Sequence, residues 1–400
     1  MSKTSPSGLR IIVSGLVGQY PMGGVAWDYL QYVIGLRLLG HDVYYIEDTG
    51  QWPYSPHENR LADDPTWTVA YLNDVMIRFG LEERWAYRFP RTGRWYGIAP
   101  ERRNDVVATA DLVLNVSGVL RDPQSYRRRG TLVFIDTDPV FTQLKLSRGQ
   151  ADYRAFVDQH DQHFSFGEMI ERSRSREIPD TGHIWRPTRQ PVVLDEWQTQ
   201  EPPSRTVFTT VMNWTSYKPI VFEGRAYGQK DVEMKRFMEL PSTSEVPLEL
   251  AVSPGKTRGV PRGLLERHGW GLVDPMQVCA TADDYRDYIQ GSMAEWSVAK
   301  GGYVTGRSGW FSCRTACYLA AGRPAVVQDT GFSAVLPTGR GVISFATSTE
   351  ASEGIAAVVA DYRAHSTAAR EVAREYFDAR VVLADLVDRS MATGRVAEIA

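Results

Sequence analysis

Residues 309–331 read Gly-Trp-Phe-Ser-Cys-Arg-Thr-Ala-Cys-Tyr-Leu-Ala-Ala-Gly-Arg-Pro-Ala-Val-Val-Gln-Asp-Thr-Gly, and this one stretch carries a helix, its stop and the strand that follows. The residues Trp310, Phe311 and Ser312 predict the helix start, Gly322-Arg323-Pro324 ends it, and residues 325–328 return as a short buried strand. A helix start leaves backbone N–H groups unpaired and carries the positive end of the macrodipole, so its natural guest is an anion, and a diphosphate fits best. Arg314, one helical turn after Trp310, either adds a phosphate contact or pairs with an acidic neighbour.

Outward from this unit the pattern repeats. In the second half, residues 206–212, 248–252, 296–299 and 341–344 read as further short apolar strands separated by helical stretches. In the first half, residues 9–16 form a continuous apolar run suited to a buried parallel strand. It breaks at Gly15, Gly18, Pro21, Gly23 and Gly24, and residues 25–39 carry helical spacing up to Gly40. Residues 43–46, 112–116, 132–135 and 163–166 supply more strands. This alternation predicts two doubly wound α/β domains. Pro187, Pro191, Pro202 and Pro203 with polar filler suggest a linker, which divides the chain into residues 1–185, a linker at 186–205, a second domain at 206–375 and a closing helical segment at 376–400. Residues 1–8 are polar and expected to fray. A length of 400 residues with 43% hydrophobic content suits two cores.

The segment Ala-Ala-Gly-Arg-Pro-Ala-Val-Val behind a helix resembles the sugar-nucleotide-dependent glycosyltransferases of the GT-B fold, the glycosyl transferases group 1 superfamily. Pro-Met-Gly-Gly-Val-Ala-Trp-Asp-Tyr-Leu, with Gly-His-Asp-Val downstream, is similar to their glycine loop and first helix. The resemblance implies two Rossmann-like domains facing across a cleft, the second binding the donor, and a last helix that crosses back onto the first domain. It implies transfer of a sugar from a nucleotide-diphosphate donor, UDP among the candidates, with no cofactor beyond this co-substrate and no metal. Gly23 and Gly24 would let backbone approach the donor phosphate; Arg225 and Lys230 would stabilise the departing diphosphate; Asp329, Thr330 and Gly331 would hold sugar and phosphate. Trp270 falls where the base sits and is either a stacking ring or a core residue. One departure stands out. Retaining members carry two glutamates eight residues apart, and Gly309 and Cys317 occupy those places, so the stereochemical outcome stays open.

On the first-domain side, Asp136-Thr137-Asp138 has the Asp-x-Asp form that holds a divalent metal in a different glycosyltransferase fold. Either aspartate facing the cleft could instead deprotonate an acceptor hydroxyl, and Asp138 before Pro139 could equally cap a turn. His57, in an aromatic loop, and Trp95, within an interleaved run of aromatics and arginines from Trp85 to Arg103, are acceptor candidates. The formal net charge of −3 gives no global attraction to nucleic acid, which leaves it behind a small molecule, glycan or protein as acceptor. No apolar run approaches the roughly 18 residues of a membrane helix and no leader pattern opens the chain, so a cytoplasmic location is expected. The three cysteines, Cys279, Cys313 and Cys317, argue against a disulfide framework. Two other readings remain: a nucleotide-sugar epimerase that hydrolyses its donor, and a non-catalytic binder of sugar nucleotides or nucleic acid.

Overall fold

The computed structural model describes residues 8–173, 177–199, 201–255 and 259–392, so the polar leader expected at residues 1–8 lies almost wholly outside the described residues. Two sheets dominate. The first is built from β1 (Arg10–Ser14), β2 (Asp42–Glu47), β3 (Trp85–Arg88), β4 (Trp95–Gly97), β5 (Leu112–Val116), β6 (Thr131–Asp136), β7 (Gln162–Ser165) and β8 (Trp185–Pro187). Their spatial order is β8-β7-β6-β5-β1-β2-β3-β4, parallel throughout except for the antiparallel edge strand β4. The second sheet contains β9 (Phe208–Thr215), β10 (Leu248–Gly255), β11 (Gly271–Val273), β12 (Ala294–Ser297), β13 (Ala325–Gln328) and β14 (Val342–Phe345), ordered β11-β10-β9-β12-β13-β14 and wholly parallel.

Both faces of these parallel sheets are covered, which explains why their strands are uninterrupted apolar runs: Ile11, Ile12 and Val13, or Leu112, Val113 and Leu114, are all fully buried. In each sheet the chain starts mid-sheet and winds outward both ways. The winding reverses between β1 and β5 in the first sheet and between β9 and β12 in the second. The crevice outside the carboxyl ends at such a reversal is where open α/β sheets bind ligands.

Helix α1 (Gly23–Leu38) joins the two sheets. The indole Nε1–H of Trp27 donates to the Ala282 carbonyl at 2.8 Å, at the start of α2 (Ala282–Gly291), and the Gly23 N–H donates to the Cys279 carbonyl at 2.9 Å. The remaining helices used below are α3 (Gly301–Gly306), α4 (Cys313–Ala320), α5 (Tyr362–Tyr376) and α6 (Ala379–Ala392).

Two expectations change. The proline-rich stretch after β8 is packed rather than loose: Val192, Val193, Leu194 and Trp197 are buried, and the Trp197 ring packs against Trp27 with centroids 4.8 Å apart. Proline count misread this stretch because the apolar residues between the prolines are those that pack. The continuous helix expected over 368–391 is two helices, α5 and α6, broken at Phe377, whose buried ring stacks on Phe311 at 5.2 Å. Helix α6 lies on α1 so closely that a Cβ on Gly35 would sit 2.6 Å from Leu383 Cδ1.

Candidate active site between the two reversal points

The carboxyl ends of β1, β5, β9 and β12 converge on a cavity of 360 Å³. Its first-sheet wall comes from the start of α1 (Gly24, Val25, Asp28) and from Ser117 and Thr137 just past β5 and β6. Its second-sheet wall comes from Asn213 at the end of β9, from Lys230 and Lys300, and from Ser312, Cys313 and Arg314 at the start of α4. A larger chamber of 710 Å³ shares Met22, Val25, Asn213, Ser253 and Pro275 with it and extends past Tyr20, Tyr54, Asn59, Arg262 and Asp274. Together they form one continuous cleft, shaped for an elongated ligand.

Three cations project into the smaller cavity. Lys230 is enclosed, and burial first, then the nearby Arg314 and Lys300, hold its ammonium pKa well below the ordinary lysine range, with Glu295 opposing. Lys300 Nζ donates to Asp138 Oδ1 at 2.8 Å and to the Tyr217 hydroxyl at 3.2 Å. Arg314 is fixed by Glu295 at 2.6 Å, the Val211 carbonyl at 2.7 Å and Ser297 Oγ at 2.9 Å. Burial opposes its charge, and Glu295 more than offsets that. Beside them Ser312 caps α4 without a side-chain hydrogen bond, leaving the first-turn amides without a side-chain acceptor. Cations and amides together suit a polyanion.

One acid faces these bases. Asp28 lies on α1 four residues after Gly24, the spacing that puts both on one helix face. Water reaches it through the cavity, yet the surrounding protein displaces most bulk solvent, and this enclosure pushes its carboxyl up to about 7 despite the Cys313 thiol and Arg314. A carboxyl poised there can accept a proton at neutral pH. Nearby, Ser117 holds φ at 64°, a left-handed conformation uncommon outside glycine, while its Oγ lies 3.0 Å from the Tyr29 hydroxyl and 2.8 Å from Thr137 Oγ1. Strain of this kind persists where neighbours over-determine the position, commonly at functional sites.

Of the residues expected from sequence, Lys230, Ser312, Arg314, Trp310 and Gly24 do line the cavity. Trp310 stacks on Tyr303 with centroids 4.1 Å apart, and it precedes α4 rather than opening it. Gly23 and Gly24 serve close packing: a Cβ at Gly23 would overlap the Thr281 carbonyl oxygen, and one at Gly24 would sit 3.1 Å from the Tyr285 ring. Their loop is gripped by the buried Glu47, which accepts from the Gly18 and Gln19 amides at 2.7 and 2.6 Å and is pushed by burial to about 7.

The other expected positions lie elsewhere. Arg225 is on an exposed hairpin (Ile220–Phe222 with Arg225–Tyr227), paired with Glu177 at 2.9 Å; the turn that follows carries Lys230 inward and Arg225 outward. Trp270 is a core ring, 2% exposed, donating to the Met238 carbonyl and packed on Trp296 at 5.0 Å. Phe311 is buried between Phe332 and Phe377. Asp329 ties its own loop, accepting from the Gly331 and Ser333 amides, while Thr330 donates to the Trp310 carbonyl. Gly331 has φ 92° because the Arg307 carbonyl would meet any Cβ at 2.7 Å.

Asp136 is buried and accepts from Thr142, Gln143 and Ser165, so it organises the loop after β6. Asp138 is occupied by Lys300 and by the hydroxyls of Tyr217 and Tyr303, and Lys300 holds its carboxyl below the usual range against burial. Neither has a free carboxylate aimed into the cavity, and among the described residues no group of three or more His, Cys, Asp or Glu could hold a metal ion. His57 packs edge-on against Trp67 at 4.4 Å, and Trp95 lies under Arg103 at 4.4 Å; neither borders the cleft. Gly309 packs on Met169 and Cys317 is buried beside Gln31, so no carboxylate stands in for the two glutamates.

Asp28, Lys300 and Glu295 were missed from the sequence. Asp28 stands inside the glycine-loop motif and Lys300 immediately follows a strand, but a lone carboxylate or lysine carries no signal until the fold aims it.

No protein-family model and no curated protein matches the sequence. Solved structures do match in shape. An alpha-glucosyltransferase in complex with UDP and a 13-mer DNA containing a HMU base superposes with TM-score 0.59 at 12% identity, covering 96% of this chain and all of that one. Anabaena Alr3699/HepE in complex with UDP superposes with TM-score 0.56 at 11% identity over the same share of this chain and all of its own. Among the described residues no helix is long and apolar enough to cross a membrane. The chain therefore has the GT-B glycosyltransferase fold.

Proposed function

We propose that the chain transfers a sugar from a nucleoside diphosphate donor to an acceptor held on the first-sheet side of the cleft, without a metal. The observation that carries this reading is the convergence of Lys230, Lys300, Arg314 and the open start of α4 on one cavity at both reversal points. Breaking a glycosidic bond to a nucleotide leaves a diphosphate with one more negative charge, and fixed cations in a partly dehydrated cavity stabilise that developing charge. The cavity supplies the positive charge from side chains, and Lys300 occupies the carboxylate of Asp138 that a metal would need. Asp28, facing these cations, accepts the acceptor hydroxyl's proton. The larger chamber receives the nucleoside, and the first-turn amides of α4 the diphosphate.

Titration calorimetry with UDP and UDP-glucose tests the donor half, since both nucleotides occupy the similar structures. Binding that Lys230→Ala and Lys300→Ala weaken at least tenfold supports the reading. Wild-type affinity in both variants would place the diphosphate elsewhere and overturn it. Donor consumption without acceptor, releasing an epimerised free sugar, would instead identify a hydrolysing epimerase.

A further inference from the structure

The interleaved arginines and aromatics of β3 and β4 remain unexplained by the cleft itself. At the carboxyl end of the first sheet, beyond the cavity wall, three arginines surround a single acid, Asp48, just past β2. Arg88 reaches it at 3.4 Å, the Tyr126 hydroxyl donates to it at 2.8 Å, and its carbonyl accepts from the Arg121 amide at 2.8 Å. The backbone makes room for these side chains: Gly50 has φ 65°, and a Cβ there would sit 2.7 Å from Arg121 Cδ, while one on Gly93 would touch Arg88 Nη2 at 3.5 Å.

The charge is left over. The Arg88 Nε–H is buried and meets no acceptor, and among the described residues neither Arg103 nor Arg121 forms an ion pair. Burial lowers the Arg103 pKa, with Arg88 adding to the fall and Tyr126 and Asp48 opposing it, so a further anion would relieve the cluster. Arg103 is also stacked 4.4 Å over the Trp95 ring, which sets an apolar face at its edge. Chain connectivity ties the cluster to the cleft: the loop after Asp48 runs on to Tyr54, which lines the larger chamber, and the turn that carries Arg121 begins at Ser117, which lines the smaller.

Resting on the glycosyltransferase reading above, we infer that Arg88, Arg103 and Arg121 form an oxyanion subsite that recognises a phosphomonoester on a small sugar-like acceptor. One acid against three guanidiniums leaves two positive charges, which match a phosphate dianion, and forked guanidiniums suit its geometry. The neighbouring indole offers the flat apolar surface on which sugar rings pack.

The test is calorimetric titration of the full chain saturated with UDP, so that the cleft cations are already occupied. Inorganic phosphate and glucose 6-phosphate are the probes. The expected result is one further anion site, weakened at least tenfold in Arg103→Gln/Arg121→Gln while the UDP dissociation constant changes less than twofold. Tighter binding of glucose 6-phosphate than of phosphate identifies the acceptor side; equal binding of the two makes it a free-ion site and overturns the acceptor assignment. No added binding in the presence of UDP, or binding indifferent to the double substitution, overturns the subsite. Binding of a short single-stranded DNA in preference to both probes overturns the small-acceptor class. Failure of UDP itself to bind overturns the donor reading instead, and comparison of phosphate binding by wild type and double variant without UDP still reports on the arginines.

Discussion

Asp28→Asn is the most discriminating change, because a carboxyl that titrates near 7 leaves two separate signatures. If Asp28 takes the acceptor proton, kcat/KM follows its ionised fraction, about one tenth at pH 6 and about nine tenths at pH 8, so the rate rises with a midpoint near 7. The carboxamide of the variant cannot accept the proton, and a drop of roughly 10²–10⁴-fold at pH 8 is the range expected for loss of a general base. Stability moves oppositely. The folded-state pKa lies above the ordinary carboxylate value, so the ionised form is the unfavourable one in the native protein: its contribution to stability is complete below about 4 and is lost as pH rises through 7. Asp28→Asn should therefore melt higher than wild type at pH 8, with the difference shrinking toward pH 4. Initial rates and melting curves across pH 5–9 measure both. A variant within twofold of wild type, with the same pH midpoint, would refute the proton-acceptor role; an unchanged melting difference across the range would refute the shifted titration.

Further outcomes follow from individual contacts. Arg314→Ala leaves Glu295, fully buried, without its cation, and should destabilise the fold by about 3–5 kcal/mol in chemical denaturation, whereas Arg314→Met with Glu295→Gln should recover most of it while still losing UDP affinity. Gly23→Ala drives a methyl into the Thr281 carbonyl, so it should cost about 1–3 kcal/mol or more in urea unfolding and should loosen the contact between α1 and α2. Trp270→Phe removes a hydrogen bond to the Met238 carbonyl and should cost about 1 kcal/mol in the same measurement, with UDP affinity unchanged because the ring packs in the core. Arg225→Ala should leave UDP affinity within twofold, since its guanidinium pairs with Glu177 at the surface.

The local sequence determined the strands and most helices, because apolar runs between glycines and prolines can only be covered parallel strands: residues 325–328 and 112–116 agree with the structure residue for residue. It also located the start of α4 and Lys230, since position after a strand or before a helix is a local property. Direction was beyond its reach. Lys230 and Arg225 differ by a few residues of turn, and only the hairpin geometry sends one inward and one to solvent. Trp270 and Phe311 read equally well as ligand platforms or as core until their neighbours are known. Asp28, Lys300 and Glu295 are far apart in sequence. The raised titration of Asp28, and the pairing of Lys300 with Asp138 and of Glu295 with Arg314, arise only when α1 and the second sheet close around common space. Pattern is set by nearest neighbours along the chain, whereas the charge balance of a cavity is set by whichever distant residues the fold brings within a few ångströms.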